Sequence, residues 1–210
     1  SGLSASSTIT EFDDFVWKEE ELTKTETRQK SGRYWLGQTI PASSQNQMIE
    51  VFKDTLPDVN TSIPIIASGR FYLRSTSSTS FEMNINDQLF REFSISRLDG
   101  SDGYTSYVST SAKSYSFNDV AIDFPTNNDI LSAGLMMKST HSGANSFVDY
   151  ISFVVRRKLT AKNNTLFFFP PTGGSSTEFS RYVLNGFSSE PYVMDVTNPM
   201  VPQLLEVSQD

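Results

Sequence analysis

The chain holds one histidine, His141, and no cysteine, which narrows its chemistry at once. Thiol catalysis, thiolate metal sites and disulfides are all removed. His141 lies in THSGANS, a loop between two stretches of strand character. As a general base it would need a serine within hydrogen-bond reach and a carboxylate behind the ring. Serines are abundant, but the G-x-S-x-G elbow is missing. An ordinary solvent-exposed loop histidine is the reading favoured, and one histidine without cysteine cannot assemble the usual zinc ligand cluster.

Carboxylates are plentiful: Asp13-Asp14, Glu19-Glu20-Glu21, Asp99 with Asp102, and Asp119 with Asp123. A glycosidase needs two of them facing each other across a cleft, and clustered loop carboxylates are usually solvated. LDGSDG lacks the full spacing of an EF-hand loop. Asp149 stands out. In FVDYISFVVRRKL, strand alternation places Phe147, Asp149, Ile151, Phe153 and Val155 on one face. A carboxylate in an apolar row must be paired, hydrogen-bonded, metal-bound, or relieved by a bulge that shifts the register. Calcium, of the sort jelly-roll domains often carry, is one partner; backbone amides or an arginine are the other and are favoured. Arg156-Arg157-Lys158 form the only dense basic cluster, which alternation splits between two faces. Pro170 to Thr177, PPTGGSST, lacks the lysine and helix of a phosphate-binding loop. Trp17, Trp35 and eight tyrosines supply rings able to stack on sugars, although in a β-sandwich most aromatics belong to the core.

The elements that must position these residues read as strands. The chain has 16 Phe and 8 Tyr with many Val, Ile, Ser and Thr, the residues enriched in sheets. Only Lys18 to Gln29 has helical composition, without an apolar stripe. In SFEMNIN, Phe81, Met83 and Ile85 alternate with Glu82, Asn84 and Asn86; Asn86-Asp87 turns the chain into QLFREFSISRL, where Leu89, Phe93 and Ile95 share a face. Further strands are expected at 63–75, 104–111, 120–124, 130–138, 147–159, 166–169, 179–184 and 192–196. Loops of Asp, Asn, Gly, Ser and Pro separate them. This spacing predicts an all-β, antiparallel two-sheet β-sandwich, jelly-roll-like, over residues 46–197. The more polar residues 1–45 read as an N-terminal arm or extra strands, and 198–210 as a proline-containing linker. In PYVMDVTNPMVP, Tyr192, Met194 and Val196 alternate with Val193, Asp195 and Thr197, before Asn198-Pro199 stops the strand. Asp195 and Thr197 share a side and are expected to tie the strand end to its neighbour by hydrogen bonds.

At 210 residues the chain is long enough for a real core without disulfides. Seventeen Lys plus Arg against 24 Asp plus Glu give a formal charge of −7, which argues against nucleic acid or an anionic membrane as partner. No run approaches the roughly 18 apolar residues of a membrane span. The chain opens on Ser1-Gly2 without a charged-then-apolar leader, an opening compatible with export and removal of a signal peptide.

Three stretches in order resemble a known family. SGRYWLGQTI (31–40), with Trp35, resembles the serine-glycine-arginine, aromatic-aromatic-glycine segment near the start of PorU-type sortases, of the type IX secretion system of Bacteroidetes-type bacteria. SFVDYISFVVRRKL (146–159), with Asp149 and Tyr150, resembles their aspartate-tyrosine-isoleucine strand ending in a basic pair and leucine. PYVMDVTNPMVP (191–202), with Asp195 and Thr197, resembles the strand before their peptidase domain. Met194 stands where the family often has tryptophan, Asn198 where aspartate is common, and Phe147 where tryptophan or tyrosine is usual. None of these positions would be catalytic.

The resemblance implies a gingipain-like cysteine peptidase parent whose Cys-His dyad lies downstream of this cysteine-free region. In that family the full protein removes the C-terminal sorting domain of cargo crossing the outer membrane and attaches the cargo to an anionic lipopolysaccharide. The region itself is then expected to be non-catalytic. Its partners would be its own downstream peptidase domain, and secretion-system subunits or cargo, at the surface of a Gram-negative bacterium. No cofactor is implied, calcium at Asp149 being the one candidate. The alternative is an autonomous carbohydrate-binding jelly-roll module with a glycan partner, which requires a concave face bearing two or three exposed rings.

Overall fold

The computed structural model describes residues 7–25, 34–41, 46–75, 77–95, 113–123, 129–138, 144–169 and 180–208. Every regular element among them is a strand: β1 (Ser7–Ile9), β2 (Glu11–Glu19), β3 (Thr23–Thr25), β4 (Tyr34–Leu36), β5 (Thr39–Pro41), β6 (Ile49–Thr55), β7 (Ile65–Arg74) and β8 (Thr79–Ile85). They continue with β9 (Gln88–Ile95), β10 (Lys113–Ile122), β11 (Ile130–Met137), β12 (Asn145–Lys158), β13 (Ser180–Tyr182), β14 (Val193–Asp195) and β15 (Gln203–Leu205). The chain divides into two compact units, Asp13–Arg157 and Ser1–Phe12 with Lys158–Asp210.

The larger unit is a β-sandwich. One sheet runs β10-β7-β12-β2, with β5 also pairing β12; the other runs β6-β11-β8-β9. The registered pairs within both sheets are antiparallel. Period-two alternation builds the core between them. On β7, Ile65, Ala67, Phe71 and Leu73 are buried, meeting Phe81, Met83 and Ile85 of β8 and Leu131, Ala133, Leu135 and Met137 of β11. Gly69 falls in the same β7 row; a methyl there would lie 2.9 Å from the Phe117 ring. That vacancy admits Phe117 to an aromatic cluster in which Phe81 stacks on Phe93 at 4.5 Å and Phe71 on Phe117 at 6.1 Å.

Several sequence expectations are corrected. Asn86 and Asp87 both have positive φ, 48° and 63°, as the tight hairpin turn requires. The following strand, however, carries a bulge: Met83 pairs Arg91 while Asn84 pairs Leu89. The extra residue, Phe90, reverses the alternation, so Phe93 is buried and Leu89 exposed. Lys18 to Gln29 is not helical where described: Lys18 and Glu19 belong to β2, and Thr23 to Thr25 form β3. Residues 166–169 form no strand. The expected strand at 104–111, the loops 98–103 and 170–177, and His141 lie outside the described residues. From residues 1–45, β2 and β5 are hydrogen-bonded members of the five-stranded sheet.

In the smaller unit β1 pairs in parallel with β13, and β14 pairs antiparallel with β15. The Leu159 amide donates to the Thr10 carbonyl at 3.0 Å, and the Val183 amide to Ile9 at 3.0 Å. Phe168 packs between Phe12 at 6.0 Å and Tyr182 at 5.3 Å.

Candidate functional site

Asp149 sits at an irregularity of β12. Val148 pairs Phe71 and Tyr150 pairs Arg70, so Asp149 is the extra residue of a bulge. Simple alternation fails here for that reason. Val148 before the bulge and Ile151, Phe153 and Val155 after it all join the core, whereas Phe147 is turned out to a small cluster with Leu36 and Tyr72. The Asp149 carboxylate is buried and accepts a hydrogen bond from Arg70 Nε, an ion pair with a half-exposed guanidinium. Arg70 also lies over the Tyr150 ring at 5.6 Å and near Tyr72 at 6.0 Å, within cation–π range. Burial pulls the Arg70 pKa down and the Asp149 hydrogen bond pulls it up; the net direction is up.

The other flank of the bulge belongs to the segment after Trp35. The Gly37 amide donates to the Val148 carbonyl at 2.7 Å, and the Val148 amide donates to the Gln38 carbonyl at 3.0 Å. A methyl at Gly37 would stand 3.1 Å from the Glu20 carbonyl oxygen and 3.3 Å from that of Val148. Glycine allows this close backbone approach without displacing either neighbour. Trp35 itself is half-exposed, in the β3–β4 pair opposite Lys24. Two stretches distant in sequence, 35–40 and 147–151, thus meet at one knot.

The arrangement holds two backbone segments together. Among the described residues no three His, Cys, Asp or Glu side chains gather as a metal site. The Asp13-Asp14 pair is spent on structure: Arg156 makes a bidentate pair with Asp13 at 2.6 and 2.9 Å, and Arg157 bonds Asp14 at 2.6 Å. These contacts fasten β2 to β12 from opposite faces, as the split of the basic cluster requires. Asp195 accepts the Thr197 amide at 2.9 Å, a local turn, and the Thr197 hydroxyl and amide hold its pKa below the usual 3.8. Sequence reasoning missed Arg70, Tyr72 and Gly37; the out-of-place aspartate was the signal, and its partner is 79 residues away.

The sequence matches no protein-family model and none of the curated proteins. Among solved structures, dimeric latent PorU from Porphyromonas gingivalis overlaps the whole of this chain at a TM-score of 0.69 and 17% identity. The chain has a PorU-like fold. The overlap takes up 19% of the PorU chain, so this sequence spans about a fifth of that protein's length. The carbohydrate-binding module CBM36, in complex with calcium and xylotriose, overlaps 69% of this chain and 99% of its own at a TM-score of 0.36 and 10% identity.

Proposed function

We propose that the chain is a non-catalytic β-sandwich region of a type IX secretion sortase-like protein, exported to the cell surface of a Gram-negative bacterium. It positions a downstream cysteine peptidase domain and provides surface for cargo or secretion subunits. The observation that carries this reading is the overlap of the entire chain with a fifth of PorU. Two of the three motif stretches that resemble the family, 31–40 and 146–159, meet through Gly37 and Val148, so the resemblance falls on segments that pack together. The absence of cysteine from the sequence places the nucleophile of such a parent elsewhere. No cofactor enters the proposal.

The test is the coding sequence that continues past Asp210. An α/β pattern containing a histidine and a cysteine is the expected result. A stop codon directly after Asp210, or a continuation without that dyad, overturns the reading.

A further inference from the structure

Both tryptophans, which a β-sandwich would be expected to bury, lie outside the core. On β2 alternation sends Val16 toward the core and Phe15 and Trp17 the other way, where they are 57% and 59% exposed. Two large rings in water forgo the burial that normally holds aromatics in place. Two residues along a strand, they stand about 7 Å apart on one face, so a single extended ligand can lie across both.

The rings border a cleft of about 400 Å³ between β2 and β6, within the size range of small-molecule sites. Besides the two rings, its lining is apolar at Val16 and the buried Phe52 and charged at Lys18, Lys53 and Asp54. Those charges are already matched locally. Lys18 is 3.5 Å from Glu20, Lys53 is 3.3 Å from Glu50, and the Thr55 amide donates to Asp54 at 2.8 Å. Two ammonium groups beside three carboxylates make a poor anion site, while their hydrogen-bonding capacity suits hydroxyl groups, which donate and accept.

We infer that this cleft is a saccharide subsite for an uncharged oligosaccharide. Phe15 and Trp17 stack on the apolar faces of its rings, and Lys53 and Asp54 bond its hydroxyls. An extended peptide is the rival occupant, because β2 ends its sheet and no described strand pairs its far edge. However, Asp14 and Lys18 alternate with the exposed rings and put charges on the inward side of that edge, a feature that blocks strand addition. The inference does not rest on the sortase reading and stands or falls separately.

The test uses the whole chain. Trp35→Phe leaves Trp17 as the single indole, and xylohexaose, cellohexaose and mannohexaose are titrated against its fluorescence and by calorimetry. At least one should give a saturable change with Kd of about 1 mM or tighter. Trp17→Ala and Phe15→Ala should each weaken binding about tenfold or more, a change of about 1.4 kcal/mol, with the unfolding transition unchanged because both rings are exposed. If Trp17→Ala alone disturbs folding, Phe15→Ala and the NMR shift of the Trp17 indole N–H in the parent carry the test. Silence from all three sugars at about ten times that concentration would overturn the inference. So would binding that survives loss of either ring, or a response confined to an extended peptide.

Discussion

The Asp149–Arg70 pair shows how far a single residue can be read from sequence. Alternation alone marks Asp149 as out of place, and the physical options were few: a partner, a metal or a bulge. The structure uses a bulge and a partner together. Arg70 was illegible because nothing local distinguishes it from any other strand arginine. Replacing Asp149 by Asn should cost about 1–3 kcal/mol in urea unfolding, the range for a charged hydrogen bond, discounted because the Arg70 head reaches water. Calcium or a chelator should leave the midpoint of the parent unchanged; a rise with calcium would mean that the carboxylate serves a cation instead of Arg70. Asp195 offers a second check. Its folded pKa is lowered by the Thr197 hydroxyl and amide, so whatever it contributes is present above the ordinary 3.8 and fades as pH falls through the lowered value. An NMR titration should place it below 3.8, and Thr197→Val should bring it part of the way back.

The facing of a strand was legible where an apolar row ran unbroken and was lost where a bulge interrupted it, while β6 was not expected as a strand and β2 only as part of an arm or extra strands. The β8 row Phe81, Met83, Ile85 is buried as alternation requires, whereas Leu89 and Phe147 were each sent to the wrong face by one extra residue in their strands. A bulge has no reliable composition signal, and it reverses every side chain beyond it. The β8–β9 turn was legible because Asn-Asp is suited to positive φ. What sequence could not add is that Asn86 also clamps β11: its side-chain oxygen accepts the Ser132 amide at 2.6 Å, and its own amide donates to the Ser132 carbonyl at 2.9 Å. Two substitutions separate these roles. Asn86→Ala should cost about 2 kcal/mol, losing both the tolerated φ and the side-chain bond. Asn86→Gly keeps the φ and should cost about 1 kcal/mol less. Equal losses in thermal melts would show that the turn conformation contributes nothing.

At the scale of the molecule, strand composition and turn spacing led to a two-sheet sandwich, and the structure is one. The closing segments were harder to place because their contacts are short bridges to the first residues, such as Val183 to Ile9, which no periodicity announces. The β14–β15 hairpin makes the consequence measurable. Isolated two-stranded ribbons are marginal, and this one leaves Tyr192 91% and Met200 86% exposed, with Met194 and Leu204 also in solvent. In the sandwich, β7 and β12 have strands on both sides, as do β11 and β8, and bury the core. Amide exchange should therefore be slowest in β7, β8, β11 and β12 and fastest in β14 and β15, since opening free energy follows buried contacts and paired edges. In the full parent protein the sortase reading expects the hairpin to become protected, because a neighbouring domain would cover those apolar side chains. Exchange in the parent as fast as in this chain would leave the hairpin without that role and remove domain positioning from the proposed function.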